Sequence, residues 1–203
     1  MLKQRLISAI ILSIGIVSLL FLLPSNYLIL FILLLTCFSL IEFLALRFST
    51  LTIILLVCLS LALFYFSTFP GLNKIFIGFS PLTYLGLFFL IISFPVSKPF
   101  LQRNFIWLIS GVSIHLGFFA SLYFLISQDE LILQNFGMDI TNRATLLIII
   151  LISVLMDSLA FFGGKKFGKS KLLQNVSPNK TIEGFLIAMT ITPITILLTT
   201  FTL

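Results

Sequence analysis

An all-α, polytopic helical membrane protein with about seven transmembrane helices is the fold class this sequence predicts, and three observations predict it. Hydrophobic residues make up 60% of the 203 positions, charged residues only 9%, and 24 residues are Phe. Ordinary globular domains carry roughly 25% charged residues, so this much apolar surface needs lipid as its solvent. The apolar residues also fall in runs close to the roughly 20 residues a helix needs to cross a hydrocarbon core. Finally, no run alternates with the period of two that a barrel strand would show, whereas a helix satisfies its backbone N–H and C=O groups within its own segment.

The first run, Leu6–Leu23, follows Lys3 and Arg5 and could pass for a signal peptide. It is long for that role, and Pro24-Ser25-Asn26 follows it in place of a small-x-small cleavage site, so it is read as a membrane helix. The second and third, Tyr27–Leu46 and Leu51–Phe69, contain Cys37 and Cys58, which read as small packing residues and not as a disulfide or metal pair. Glu42 lies near the end of the second run, where a loop cation is its expected partner. The fourth and fifth, Ile75–Val96 and Phe105–Ser127, carry few polar groups apart from His115, which is expected to bond to a neighbouring helix and is not assigned to the site. The sixth and seventh are Ala144–Phe162 and Ile182–Leu203, with the polar loop 163–181 between them. There is no internal repeat and no soluble segment, so residues 1–203 read as a single integral membrane domain.

Cytoplasmic loops carry an excess of Lys and Arg. With the N-terminus inside, the inner segments hold Lys3, Arg5, Arg47, Lys98, Arg103, Lys165, Lys166, Lys169, Lys171 and Lys180, ten in all, against Lys74 and Arg143 outside. The acids Asp129, Glu130 and Asp139 lie in the outer loop from Gln128 to Arg143. The expected topology therefore places the loop 163–181 in the cytoplasm of a bacterial-type inner or plasma membrane. Basic inner loops can serve topology and lipid contact alone, but that does not account for the residues around these lysines.

Asp157 lies six residues before Gly163, about 9 Å inside the loop on a helix. A carboxylate at that depth needs a polar cavity, a cation partner such as Lys165, or a metal. Beneath a lysine-rich loop it suits a Mg²⁺–nucleotide site, with a hard oxygen ligand for the cation and ammonium groups for phosphate. In Ser177-Pro178-Asn179-Lys180-Thr181, serine is a good N-cap and proline suits the first helical position, so a helix is expected to begin here with Lys180 in its first turn. Its N-terminus would then face an anion. Glu183 suits the same turn as a dipole partner, and Gly184 permits close approach of a ligand or backbone. Gly163-Gly164-Lys165-Lys166-Phe167-Gly168-Lys169-Ser170 matches the P-loop expression letter for letter, but that motif works only between a strand and a helix of an α/β unit, and an apolar run precedes it here.

The run Asp157-Ser-Leu-Ala-Phe-Phe-Gly-Gly-Lys-Lys-Phe-Gly-Lys, followed by Ser177-Pro-Asn-Lys-Thr-Ile-Glu-Gly, resembles the phosphatidate cytidylyltransferases (CDP-diacylglycerol synthases). The opening Leu2-Lys-Gln-Arg-Leu-Ile-Ser-Ala-Ile and the pair Glu42-Phe43 are similar to the same family, so the resemblance spans the chain while about 30 residues are diagnostic. It implies an integral membrane enzyme that transfers a cytidylyl group from CTP to phosphatidate, with Mg²⁺. It further implies Asp157 as catalytic residue and metal ligand, with Lys165, Lys166, Lys169, Ser177, Asn179, Lys180, Thr181 and Glu183 binding substrate. The expected partners are CTP, phosphatidate, membrane lipids and a second copy in a homodimer, not nucleic acid. Phe161 stands where the family has Tyr, and the family's C-terminal signature with its metal-binding aspartates does not follow. The expectation is an N-terminal portion or shortened homologue, inactive if those aspartates are essential. The alternatives are a related CTP-using enzyme of the archaeol cytidylyltransferase or polyprenol kinase type, and a non-catalytic membrane scaffold or small channel.

Overall fold

Helices occupy most of the chain, as the apolar runs require. The computed structural model describes residues 2–127 and 141–202, with side chains for 11–127 and 141–198. The order is α1 (Leu2–Leu22), α2 (Ser25–Ala45), α3 (Thr50–Phe66), α4 (Pro70–Ile92), α5 (Lys98–Leu101), α6 (Asn104–Ser127), α7 (Asn142–Phe167), β1 (Lys171–Leu173), β2 (Ser177–Thr181) and α8 (Ile182–Thr202). Among the described residues, four helices, α2, α4, α6 and α7, are long and apolar enough to cross a membrane. The segments Ile11–Leu22, Thr50–Phe66 and Ile182–Leu198 are apolar but shorter. Local chemistry sets the breaks. α1 stops just before Pro24, whose ring disfavours helix in the residue ahead of it, while Pro70 opens α4, where its missing N–H costs nothing. The acids Asp129, Glu130 and Asp139 of the expected outer loop lie outside the described residues.

The chain divides into two compact units. The first comprises Met1–Thr83 with Trp107–Arg143. Its core is Leu40 and Leu44 of α2, Phe64 of α3, and Leu116 and Phe119 of α6, with the Phe64 and Phe119 rings 5.2 Å apart. Lipid offers no hydrophobic drive for helices to associate, so close contact and hydrogen bonds hold them. A methyl group at Gly111 would come within 2.6 Å of the Phe43 ring, and one at Gly117 within 2.2 Å of Ser80 Cβ, so both glycines are notches in α6. His115 bridges to α2, its Nδ1 2.7 Å from the Gly111 carbonyl oxygen and its Nε2 3.1 Å from Ser39 Oγ. Arg143 donates to the carbonyls of Leu20 (3.0 Å) and Phe21 (3.2 Å) at the end of α1, where helix carbonyls are unpaired and the dipole favours a cation. It also donates to Ser25 Oγ at 3.3 Å. Arg47 stands over the Trp107 ring at 5.7 Å, and Glu42 is exposed. Cys37 and Cys58 are both free thiols.

The second unit comprises Tyr84–Ile106 with Ala144–Leu203. It contains the long helix α7, the antiparallel pair β1–β2 and α8. Two expectations are corrected here. α7 does not end at Phe162 but runs through both glycines to Phe167, so Lys165 and Lys166 lie in its last turn and not in a loop. Cations suit that end of the helix dipole. The residues Ser177–Thr181 do not open a helix; they form β2, and α8 begins at Ile182.

Candidate functional site at the α7–α8 crossing

The polar stretch is built around small residues. A Cβ at Gly184 would lie 2.5 Å from the Ala160 carbonyl oxygen and 2.8 Å from the Gly164 amide nitrogen. Both are backbone atoms of α7, which cannot swing aside. One at Gly164 would lie 2.8 Å from Thr181 Oγ1, and one at Gly163 would lie 3.0 Å from Ile187. Gly184 and Ala188, one turn apart on α8, are both buried. The two helices therefore touch backbone to backbone. The Ala160-Gly164-Gly168 spacing is the small-xxx-small pattern of close membrane-helix contacts. That spacing is legible in the sequence alone.

The glycine crossing and the hairpin are joined by three hydrogen-bonding devices. Gly168 N–H donates to the Gly164 carbonyl at 3.0 Å, closing the end of α7. Thr181 Oγ1 accepts the Gly184 N–H at 3.2 Å and so acts as the N-cap of α8, the part expected of Ser177. Glu183 reaches back across the hairpin: its Oε2 accepts the Lys169 N–H at 3.1 Å and its Oε1 accepts the Ser170 N–H at 3.0 Å. The Ser170 carbonyl in turn accepts the Ile182 N–H at 3.0 Å. Glu183's own backbone N–H, then those of Lys169 and Ser170, hold its carboxyl below the usual carboxylate range. It stands in the first turn of α8, and its part is to tie the hairpin to the start of that helix.

Lys171 pairs with Thr181 and Leu173 with Ser177, and the register is irregular between them. Pro178 lies in that interval and has no N–H for a ladder. The Val176 N–H donates to the Leu173 carbonyl at 3.1 Å across the turn. Lys169, Lys171, Asn179 and Lys180 are exposed, as are Lys165 and Lys166, while Ser177 and Thr181 are half-buried. Lys166 Nζ sits 5.2 Å from the Phe167 ring centroid. Lys180 is thus on β2, one residue before the capping Thr181, and not in the first turn of α8. Asp157 is exposed on α7, ten residues before the helix ends and on the helical face of Ala160 and Gly164, spaced i, i+3 and i+7. The alternative reading, an ion pair with Lys165, does not form, and among the described residues no cluster of three or more His, Cys, Asp or Glu side chains could hold a metal.

The P-loop reading is excluded by order. Gly163–Phe167 is the end of a helix, and the strand comes after the glycines, where a phosphate-binding loop needs the strand first and the helix second.

Apolar helices carrying a small, tied-down hairpin with unpaired ammonium groups define a helical membrane protein with a surface suited to polyanions. The chain matches the model of the cytidylyltransferase family over residues 3–203. It belongs to that family, whose members are nucleotidyltransferases. Comparison with curated proteins and with solved structures yields no match.

Proposed function

We propose that this protein transfers the cytidylyl group of CTP to phosphatidate, giving CDP-diacylglycerol and pyrophosphate at the cytoplasmic face. The observation that carries this reading is the lysine-bearing hairpin tied to the α7–α8 crossing, where a soluble polyanion and a lipid can meet. Family membership makes the reaction a nucleotidyl transfer, and the apolar helices favour a lipid acceptor. The ten inner-segment cations against two support a cytoplasmic hairpin.

In this reading a phosphate oxygen of phosphatidate attacks the α-phosphorus of CTP. The bond from that phosphorus to the α–β bridging oxygen breaks, and pyrophosphate leaves with the electron pair. Lys165, Lys166, Lys169 and Lys180 neutralise the phosphates, while Ser177 and Asn179 offer hydrogen bonds. Thr181 and Glu183 act by positioning, since their polar atoms already hold the Gly184, Lys169 and Ser170 amides. Asp157 carries no ion pair and Glu183 is committed, so the described residues offer one free carboxylate here. That fits a Mg²⁺ ion that takes one or two protein carboxylates, its other ligands being substrate phosphates and water. Bound there, the ion would withdraw charge from the phosphates.

The test uses the purified chain in nanodiscs with phosphatidate and CTP labelled at the α or γ phosphorus. Lipid-borne label from α-labelled CTP alone is the expected result. Label from γ-labelled CTP on a polyprenol would make the protein a kinase, and label on an ether-lipid phosphate but not on phosphatidate would make the acceptor archaeal in type. Asp157→Asn keeps the side chain's size, so it should leave metal-free CTP binding intact and remove its enhancement by Mg²⁺. An unchanged Mg²⁺ response would leave Asp157 out of the site.

A further inference from the structure

The run that matches the P-loop expression ends in Gly168-Lys169-Ser170, and the proposed transfer uses none of its main-chain groups. The fold nevertheless gives these residues an anion. Glu183 Oε2 accepts the Lys169 N–H at 3.1 Å, Oε1 accepts the Ser170 N–H at 3.0 Å, and Oε2 shares the Ser170 N–H at 3.2 Å. One carboxylate thus spans two consecutive amides. Successive main-chain N–H groups that converge on one anion are a recurring unit of phosphate recognition. Here the unit follows a helix end, where Lys165 and Lys166 in the last turn of α7 offset the negative end of its dipole.

Three features make that carboxylate replaceable. The turn is held by backbone alone, since the Gly168 N–H donates to the Gly164 carbonyl at 3.0 Å and a Cβ at Gly168 would lie 2.2 Å from the same oxygen. The amides therefore stay in place when their partner changes. Lys169 and Ser170 are exposed, so a ligand reaches them without opening the fold. The groups that hold the charge of Glu183 are backbone amides and the Ser170 hydroxyl, not a lysine. That leaves the exposed ammonium groups of Lys165, Lys166 and Lys169 for another anion. A phosphate group presents paired oxygens as a carboxylate does, and with more charge, so it gains from those lysines what Glu183 does not.

We propose that the Lys169 and Ser170 amides are a phosphate site which Glu183 fills as an internal ligand until a phosphate group of a substrate replaces its carboxylate. In the resting chain Glu183 ties down the hairpin, and on binding it yields the two amides. The identity of the phosphate carrier rests on the transfer reading; the site itself rests on the two amides and the carboxylate they hold.

The experiment uses the full chain in detergent without CTP or metal, with inorganic pyrophosphate as the probe, and follows amide exchange by NMR. In Glu183→Ala the Lys169 and Ser170 amides should exchange faster. Pyrophosphate should then bind about tenfold more tightly than to the wild type, the scale of one charge-assisted hydrogen bond, and should restore slow exchange at both amides. Weaker binding in the variant would make Glu183 a tie only. Tighter binding that leaves the two amides exchanging fast would be relief of charge repulsion, and it too overturns the proposal. Dioctanoyl phosphatidate is the second probe: protection by it alone assigns the amides to the lipid phosphate, and protection by pyrophosphate alone assigns them to the nucleotide, either outcome supporting the shared chemistry. Should Glu183→Ala lose the protection of α7 and so its fold, the wild type decides. Its Glu183 carboxyl ¹³C resonance should move to the position of a free glutamate as a probe saturates, and a resonance that stays in place under both probes overturns the proposal. Failure here leaves the transfer reading standing, because label transfer from CTP does not depend on which donors hold the phosphate.

Discussion

The two units treat polar atoms in opposite ways. In the first, small polar side chains serve the packing. Thr36 donates to the Ile32 carbonyl at 2.7 Å, Ser60 to Val57 at 2.9 Å, and Ser67 to Phe64 at 2.7 Å, so each hydroxyl closes on its own helix. Asn73 and His115 link helices. In the second, packing serves the polar side chains. Glycines bring α7 and α8 into backbone contact, and the hairpin beside that contact leaves its lysines exposed and Asp157 without an ion pair. Where solvent is lipid, an unpaired polar atom is costly. The exposed, unpaired charges of the hairpin are what the proposed transfer rests on.

The largest break in this contrast should come from Gly184→Val. Its side chain would meet the Ala160 carbonyl and the Gly164 backbone, neither of which can yield. Overpacking typically costs about 1–3 kcal/mol, and more against backbone. We expect a lowered melting temperature in detergent together with loss of CTP binding. By contrast, Gly15→Ala places its methyl group in open space and should change neither. If the two variants behave alike, the crossing does not organise the hairpin.

Glu183→Gln should act next, through the hairpin alone. It removes the charge that accepts the Lys169 and Ser170 amides, so hydrogen exchange at those two amides should quicken while α7 stays protected. The pH dependence has a definite sign. Because the folded carboxyl is held low, its contribution is fully present at neutral pH and is lost as pH falls below the usual carboxylate range through the folded value. Exchange at the two amides, corrected for intrinsic chemistry, should therefore be flat from neutrality down to that range and rise below it in the wild type only. A flat profile in both proteins would mean Glu183 does not hold the hairpin.

The smallest effect separates two lysines of one hairpin. Lys180 immediately precedes the residue that caps α8, whereas Lys171 begins β1 beside residues that bind Glu183. Lys180→Ala should weaken CTP binding about tenfold, the scale of one charge-assisted hydrogen bond, and Lys171→Ala by about twofold or less. Equal losses in a CTP titration would reduce the hairpin to a diffuse basic patch.

Much of this was legible in the chain. Apolar run length predicted the long helices, because a segment in lipid has no other way to satisfy its backbone. The polar residues from Asp157 to Gly184 stood out for the same reason, since charge is expensive in so apolar a protein. The site was misread in detail where local rules competed. Ser177-Pro178 is a good helix start in isolation, yet Thr181 took the capping role because the hairpin pairs Ser177 with Leu173. Glu183 does stand in the first turn of α8, as expected, and what spacing could not show is that its carboxylate also accepts two amides fourteen and thirteen residues earlier.

By itself, then, the sequence determined the class of solvent, the helical fold, the place of the charged stretch and the family motif, because each depends on composition and short-range spacing. Only the tertiary structure decided that Gly163, Gly164 and Gly184 make the crossing, that Lys165 and Lys166 ride on a helix, that Glu183 is a tie and that Asn73 keeps an unpaired oxygen. Each of those depends on which backbone atoms from distant parts of the chain come within a few ångströms of one another. Spacing along one helix can suggest a face, but it cannot say which backbone will meet it.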